Sequence, residues 1–201
     1  MTRSLEFIFD YGSPNAYMVH RVLPAFLART GAGMVARPCL LGGIFKASNN
    51  KSPIVQYADI PAKLAYERLE MRRFAMRHGL SKFRMNPHFP VNTLLIMRGA
   101  IAAQELGALP AYSEAMFAGM WEQCLNLSDP EIVATTVAAA GIDASALLAR
   151  TAAPEIKAAL AANTEAAVAR GVFGIPTFFV GNEMFFGKER LGQVEEALAG
   201  T

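Results

Sequence analysis

The hydrophobic and polar positions along the chain predict a β-α-β beginning, a long helical middle and a β-β-α end. Residues 5–9 are apolar at nearly every position, which is typical of a strand in a sheet that is covered on both faces. The next segment predicts a helix over 14–29, and Pro24 inside it predicts a kink. A second strand is predicted over 34–37, where Pro38 ends it.

The middle of the chain, roughly residues 45–170, is rich in alanine and predicts helices only. The segment Ser128-Asp129-Pro130-Glu131 has the spacing of a capping box with proline in the first turn. Four glycines follow apolar-periodic runs, where a left-handed residue after a helix is expected: Gly79, Gly107, Gly141 and Gly171. The predicted helices span residues 61–78, 93–106, 111–125, 129–140, 143–150 and 154–170.

The end of the chain predicts two strands and a helix. Strands over 177–180 and 183–186 are separated by Gly181-Asn182, a two-residue turn that is typical of a hairpin. A last helix over 188–199 carries its apolar residues on one side. The two outer regions together predict a small mixed sheet with helices on both faces.

This order of elements predicts an α/β fold of the thioredoxin-like class, in which the helical middle is an insertion. We expect a discontinuous thioredoxin-like domain over 1–45 and 171–201 and an all-helical insertion domain over 46–170. A chain of 201 residues is long enough for a small thioredoxin-like core and a helical insertion of this size.

Charge and cysteine content narrow the classes of partner. The net charge of only +2 does not indicate the strongly basic surface that is typical of nucleic-acid-binding proteins. No uncharged apolar run is long enough to predict a membrane span. The first residues lead directly into a strand rather than into a signal-peptide region, so we expect a cytoplasmic protein. Cys39 and Cys124 are far apart and form no Cys-x-x-Cys, which disfavours a disulfide framework and a metal site.

The first candidate for chemistry is Ser13-Pro14, at the start of the first predicted helix. Pro14 suits the first helical position and Ser13 suits the N-cap, so capping explains both residues. A helix N-terminus also carries unpaired amides and partial positive charge, which stabilise an anion such as a thiolate. A serine hydroxyl can donate a hydrogen bond to such an anion. Ser13 is therefore either a helix cap alone or part of a reactive site.

The second candidate is Pro176, immediately before the third predicted strand. A cis peptide bond after Ile175 would expose the amide and carbonyl of Ile175 as a short free edge, with which an extended peptide can pair. The alternative is a trans proline that only begins the strand.

The chain resembles the 2-hydroxychromene-2-carboxylate isomerases and the related kappa-class glutathione transferases, which belong to the DsbA-like branch of the thioredoxin superfamily. The resemblance runs in order over nearly the whole chain, in the segments FDYGSPNAY, LLGGIFKASNNKSP, NPHFPVNT and GVFGIPTFFVGNEMFFGKERL. It implies glutathione as cofactor, a small aromatic carboxylate as substrate and a homodimer.

The resemblance also implies roles for individual residues. Ser13 falls on the family's catalytic serine, whose hydroxyl would hydrogen-bond the glutathione sulfur. Ile175 falls where the family's backbone pairs with the cysteinyl part of glutathione. Lys63 matches a lysine near the glutathione site, and a surface lysine of a helix is an equally open interpretation. The glutathione-binding residues that we expect are Ser13, Asn50, Lys63, Ile175, Pro176, Phe186, Gly187, Lys188 and Glu189.

The segment from Phe186 to Glu189 falls on the family's clamp for the γ-glutamyl end of glutathione. Backbone amides at the start of the last helix would take the carboxylate, and an acidic side chain the ammonium group. The family usually has an aspartate after a serine or asparagine, whereas this chain has Lys188 and then Glu189, whose charge lies one methylene further out. Lys188 either strengthens the hold on the carboxylate or is a solvated lysine of the first turn.

The implied substrate-binding residues are Lys46, Asn49 and Phe89, with Lys46 as a point charge for the substrate carboxylate. The implied reaction is a cis-trans isomerisation in aromatic degradation, from 2-hydroxychromene-2-carboxylate to a trans-o-hydroxybenzylidenepyruvate type of product, by reversible thiolate addition. Two alternatives are a kappa-like glutathione transferase and a protein that binds glutathione without turnover. The missing cysteine pair disfavours a thiol-disulfide oxidoreductase.

Overall fold

The computed structural model describes residues 3–200, and in this part of the chain four strands form one mixed sheet in the order β2-β1-β3-β4. β1 pairs in parallel with β2 and antiparallel with β3, and β3 pairs antiparallel with β4. The strands are β1 (Ser4–Phe9), β2 (Gly33–Pro38), β3 (Thr177–Val180) and β4 (Glu183–Phe186). Residues 1–2 and 201, which the predicted domain boundaries include, lie outside the described residues.

Helices α2 to α9 lie between β2 and β3, which is the predicted helical insertion. The helices of the described chain are α1 (Pro14–Thr30), α2 (Leu41–Ser48), α3 (Pro53–Gln56), α4 (Pro61–Arg77), α5 (Leu94–Glu105), α6 (Leu109–Trp121), α7 (Pro130–Ala139), α8 (Ala144–Thr151), α9 (Pro154–Ala169) and α10 (Leu191–Gly200). The four glycines expected after helices all have positive φ, between 66° and 91°. α1 continues through Pro24.

Two helices were not predicted from the sequence. α2 contains Gly42 and Gly43, which lower its intrinsic helix propensity, and it packs on α9. Packing on α9 therefore compensates for the low intrinsic helix propensity of α2. α3 is a single turn that begins at Pro53, too short for a periodic pattern to show it.

Three predicted helix ends differ in detail from the structure. The helix predicted over 111–125 is α6, which ends at Trp121 and is followed by Cys124 with a φ of 57°. The N-cap of α7 is Asp129 rather than Ser128, because the Asp129 carboxylate accepts the Glu131 amide at 2.9 Å. The helix predicted over 188–199 begins as a single 3-10 turn, Lys188–Arg190, which leads into α10.

The buried apolar side chains form one cluster that extends from the sheet into the helices. Trp121, at the end of α6, donates from its indole nitrogen to the Tyr11 carbonyl at 2.8 Å. The Tyr11 hydroxyl lies 2.8 Å from Ser113 Oγ, and the Tyr11 ring meets Phe117 edge-on at 4.8 Å. The end of β1 is thus anchored in the helical region through α6. The two-domain division stays a prediction.

A buried carboxylate fixes the turn between β1 and α1. Asp10 is 1% exposed, and its Oδ1 accepts the Gly12 amide at 2.8 Å. Its Oδ2 accepts the Leu41 amide at 2.8 Å and the Thr93 hydroxyl at 3.1 Å. Burial raises the pKa of Asp10, against the opposing effect of these three hydrogen bonds. The turn that carries Ser13 is thereby joined to the first residue of α2 and to the N-cap residue of α5.

We predict that Asp10→Asn lowers the free energy of unfolding by about 1–3 kcal/mol, because an amide offers one oxygen where the carboxylate offers two, and a buried donor then lacks an acceptor. Urea denaturation followed by circular dichroism measures the change. The control is Thr93→Val, which removes one hydrogen bond to the same carboxylate and should cost less, about 0.5–1.5 kcal/mol. An Asp10→Asn variant as stable as the wild type would show that the carboxylate does not hold the turn.

Candidate active site

Ser13 is a helix cap, and its hydroxyl also reaches across the fold. It is the N-cap of α1, with extended backbone, and its Oγ accepts the Ala16 amide at 3.2 Å. The same hydroxyl donates to the Ile175 carbonyl at 3.2 Å, although the two residues are 162 positions apart. Ser13 is 4% exposed. The capping role is therefore present, and the hydroxyl proton points at the carbonyl before Pro176.

The loop before β3 lies against Ser13 and also contacts the residue that precedes the 3-10 turn. The peptide bond between Ile175 and Pro176 is cis, so the alternative of a trans proline does not apply. The Pro176 carbonyl accepts the Gly187 amide at 2.9 Å, and the Thr177 hydroxyl donates to the Gly174 carbonyl at 2.7 Å. The start of the 3-10 turn thus lies beside this proline.

The α1 N-terminus carries partial positive charge that no acidic side chain of its own first turn offsets. One further polar group lies there. Asn15 Oδ1 is buried and has no hydrogen-bond partner among residues 3–200. No role for Asn15 was predicted from the sequence. The signal that could have found it is an amide side chain in the first turn of an otherwise apolar helix start.

Lys188 is buried, so the interpretation as a solvated lysine was wrong. It is 2% exposed, its Nζ forms an ion pair with the Glu189 carboxylate, and it lies 5.6 Å from the centre of the Phe74 ring of α4. The Glu189 side chain remains 46% exposed. Gly187 has a φ of 98°, a conformation that favours glycine. The turn therefore presents a half-exposed carboxylate above a buried cation.

Phe186 and Asn50 contact the same loop before β3. The Phe186 ring packs on Phe173 with ring centres 4.6 Å apart, and a side chain at Gly174 would lie 2.7 Å from the Phe186 ring. Asn50 Nδ2 donates to the Phe173 carbonyl at 2.8 Å. The loop thereby links eight of the nine expected glutathione-binding residues into one neighbourhood: Ser13, Asn50, Ile175, Pro176, Phe186, Gly187, Lys188 and Glu189.

Lys63 lies in different surroundings. Its Nζ is 4.6 Å from the centre of the Tyr57 ring. It lines a surface pocket of about 340 Å³ together with Tyr57 and residues of α4, and no other expected glutathione-binding residue lines that pocket. A role for Lys63 stays a prediction.

Among the described residues, no side-chain hydrogen bond, ion pair or ring contact joins the three expected substrate-binding residues to one another. Lys46 is exposed in the last turn of α2. Asn49 is the C-cap of α2 with a φ of 54°, a conformation that asparagine tolerates well and that explains it without a ligand. Phe89 is half-buried and packs on Trp121, with ring centres 5.8 Å apart. Their substrate roles stay predictions.

Other types of site find little support in the described chain. Cys39 and Cys124 are free, and burial raises the pKa of Cys39 to about 12. No group of three or more histidine, cysteine, aspartate or glutamate side chains within residues 3–200 is arranged to hold a metal ion. None of the described helices combines the length and the hydropathy of a membrane span.

Comparisons with known proteins give the family. The chain is 26% identical over 209 residues to human glutathione S-transferase kappa 1, covering 95% of this chain and 88% of that protein. It is 27% identical over 199 residues to the 2-hydroxychromene-2-carboxylate isomerase of Pseudomonas putida, covering 96% and 93%. A solved structure of a 2-hydroxychromene-2-carboxylate isomerase superimposes with a TM-score of 0.82 at 25% identity, over 98% of this chain and 95% of that one.

The family model described as the DsbA-like thioredoxin domain matches residues 4–199, which is nearly the whole chain. The thioredoxin-like fold with helices inserted between β2 and β3, and the resemblance to the isomerases and kappa-class transferases, are thus confirmed. The chain belongs to the DsbA-like thioredoxin domain family.

Proposed function

We propose that the protein is a glutathione-dependent isomerase of aromatic degradation, which converts 2-hydroxychromene-2-carboxylate to a trans-o-hydroxybenzylidenepyruvate type of product. The observation that carries the proposal is the buried Ser13 hydroxyl, which caps α1 and donates across the fold to the Ile175 carbonyl. The relatives named as 2-hydroxychromene-2-carboxylate isomerases support the same reaction.

The residues present fit glutathione. Asn15 Oδ1 is a buried acceptor without a donor in the described part of the chain, and the peptide amides of glutathione are donors. The turn at Lys188 and Glu189 combines backbone amides at a helix start with a half-exposed carboxylate, which suits the carboxylate and the ammonium group of a γ-glutamyl end. When bound, glutathione would supply a thiol that adds reversibly to a conjugated double bond, so that rotation about that bond becomes possible.

The chain's own residues would stabilise negative charge and orient the peptide. Ser13 would turn its hydroxyl proton from the Ile175 carbonyl to a neighbouring anion, and burial strengthens that hydrogen bond. The partial positive charge of the α1 N-terminus would stabilise a unit negative charge by about 0.3–2 kcal/mol. The Ile175 carbonyl would then accept a backbone amide of an extended peptide. Lys46 would hold the substrate carboxylate.

A kappa-like glutathione transferase is the second candidate, and the similarity to the human kappa-class enzyme favours it. It would use the same serine and release a stable conjugate from a halogenated aromatic compound. A protein that binds glutathione without turnover would give neither product. A homodimer and a cytoplasmic location stay predictions.

Ser13→Ala tests the role of the hydroxyl. We predict a loss of roughly 100-fold or more in kcat/KM, the usual cost of removing a preorganised donor to a developing anion. A spectrophotometric assay of 2-hydroxychromene-2-carboxylate, with and without glutathione, measures it, and turnover by the wild type should require glutathione.

Because Ser13→Ala also removes a helix cap, the matched control is Asp143→Ala. Asp143 caps α8 by accepting the Ala146 amide at 2.9 Å. Both variants should lose about 1 kcal/mol of stability, but the Asp143 variant should keep full activity. Turnover without glutathione, or a fully active Ser13→Ala variant, would contradict the proposal.

Glu189→Gln tests the clamp. We predict that it weakens glutathione binding about tenfold, since a charged hydrogen bond contributes about 1.5 kcal/mol. Cysteinylglycine, which lacks the γ-glutamyl end, should bind the variant and the wild type equally. Isothermal titration calorimetry measures both affinities. Glu183→Gln, at an exposed glutamate of β4, is the control and should change neither. Equal affinity of Glu189→Gln and wild type for glutathione would place the γ-glutamyl end elsewhere.

A further inference from the structure

A second cleft lies between α2, α5 and α9, apart from the residues assigned to glutathione and substrate. Its volume is about 320 Å³, which falls at the lower end of the range of about 300–1,000 Å³ typical of small-molecule pockets. None of the expected glutathione-binding or substrate-binding residues lines it. We call it the α2-α5-α9 cleft.

Small side chains on two of the helices leave this space open. Gly43 and Ala47 of α2 are one turn apart and line the cleft, as does Ala161 of α9. A side chain at Gly43 would come within 3.0 Å of Thr164, so α2 and α9 approach closely there. Apolar side chains form much of the remaining lining: Leu40, Leu94, Leu160 and Val168. The cleft therefore suits a ligand with an apolar body.

Two cations that line the cleft have no ion-pair partner in the described part of the chain. Arg98 of α5 and Lys157 of α9 both line it, and neither forms an ion pair within residues 3–200. Arg98 Nε is buried without an acceptor in the same part of the chain. Glu165 also lines the cleft but forms no ion pair with either cation. Since a guanidinium group stays protonated, a buried donor of this kind is costly unless an anion satisfies it.

We propose that the α2-α5-α9 cleft binds a small carboxylic acid with an aromatic or short aliphatic body. Its carboxylate contacts Arg98 and Lys157, because planar guanidinium and carboxylate groups match in a bidentate pair. Its apolar body lies against Leu94 and the apolar face of α9. The proposal depends on neither Ser13 nor glutathione.

Benzoate is the probe, and benzamide is its neutral isostere. Isothermal titration calorimetry with the wild-type protein should show benzoate binding at least about tenfold tighter than benzamide, since the pair contains charge-assisted hydrogen bonds. Arg98→Met should weaken benzoate binding at least about tenfold, with partial rescue in Arg98→Lys. Arg68→Met, at an exposed arginine of α4, is the matched control and should bind benzoate as the wild type does.

Ala161→Leu fills the cleft without changing its charge, and it should abolish benzoate binding. Ala161 is exposed at the cleft mouth, so this variant keeps the fold and the test stands even where Arg98→Met is unstable. Saturating glutathione and Ser13→Ala should leave benzoate binding unchanged. Absence of benzoate binding at millimolar concentration, or equal binding by the wild type and Ala161→Leu, would overturn the proposal.

The isomerisation assay identifies the source of the acid. If the carboxylate is that of the substrate itself, so that this cleft takes the role proposed for Lys46, Arg98→Met raises KM at least about tenfold and benzoate inhibits competitively. If the cleft takes a separate acid, Arg98→Met leaves KM unchanged while benzoate binding is still lost. Either result supports a carboxylate site, and both differ from failure of the Ser13 proposal, which a fully active Ser13→Ala variant would show.

Discussion

The buried carboxylate of Asp10 is the constraint on which the candidate site depends. It accepts three hydrogen bonds, from the turn after β1, from the first residue of α2 and from the residue that begins α5. One side chain therefore fixes the position of Ser13 relative to two helices of the insertion. The carboxylate has almost no contact with solvent, so the hydrogen bonds take the place of the water that burial removes. Loss of this anchor would allow the α1 N-terminus to move relative to the loop before β3.

The candidate site is formed where distant parts of the chain meet. The Ser13 hydroxyl reaches the Ile175 carbonyl, and the Gly187 amide reaches the Pro176 carbonyl, so the first helix, the loop before β3 and the turn before α10 share one neighbourhood. The helical insertion contributes Asn50 and the buried contact between Phe74 and Lys188. Under the proposed function, the Ser13 hydroxyl at this helix end would stabilise an anion that a ligand supplies, and this role would need no cysteine pair.

Sequence patterns predicted the elements whose structure depends mainly on their own residues and turns. The apolar run of β1 follows from its central position in the sheet, and the hairpin of β3 and β4 follows from the turn at Gly181. α2 escaped prediction because its glycines weaken it locally and its packing on α9 stabilises it. The buried Lys188 lies beside Phe74, which is more than 100 positions away along the chain, and no local pattern reports such a contact. Arg98 likewise gains its surroundings only when three separate helices meet.

The central claim is that Ser13 and the α1 N-terminus hold a glutathione thiolate. The most direct measurement is an ultraviolet titration of the thiol of glutathione bound to the wild-type protein and to Ser13→Ala. We expect the pKa of the bound thiol in the wild type to lie at least about one unit below the ordinary cysteine value of about 8.5, and to return towards that value in the variant. A bound thiol with an unshifted pKa, or with the same lowered pKa in both proteins, would contradict the account and leave Ser13 as a helix cap.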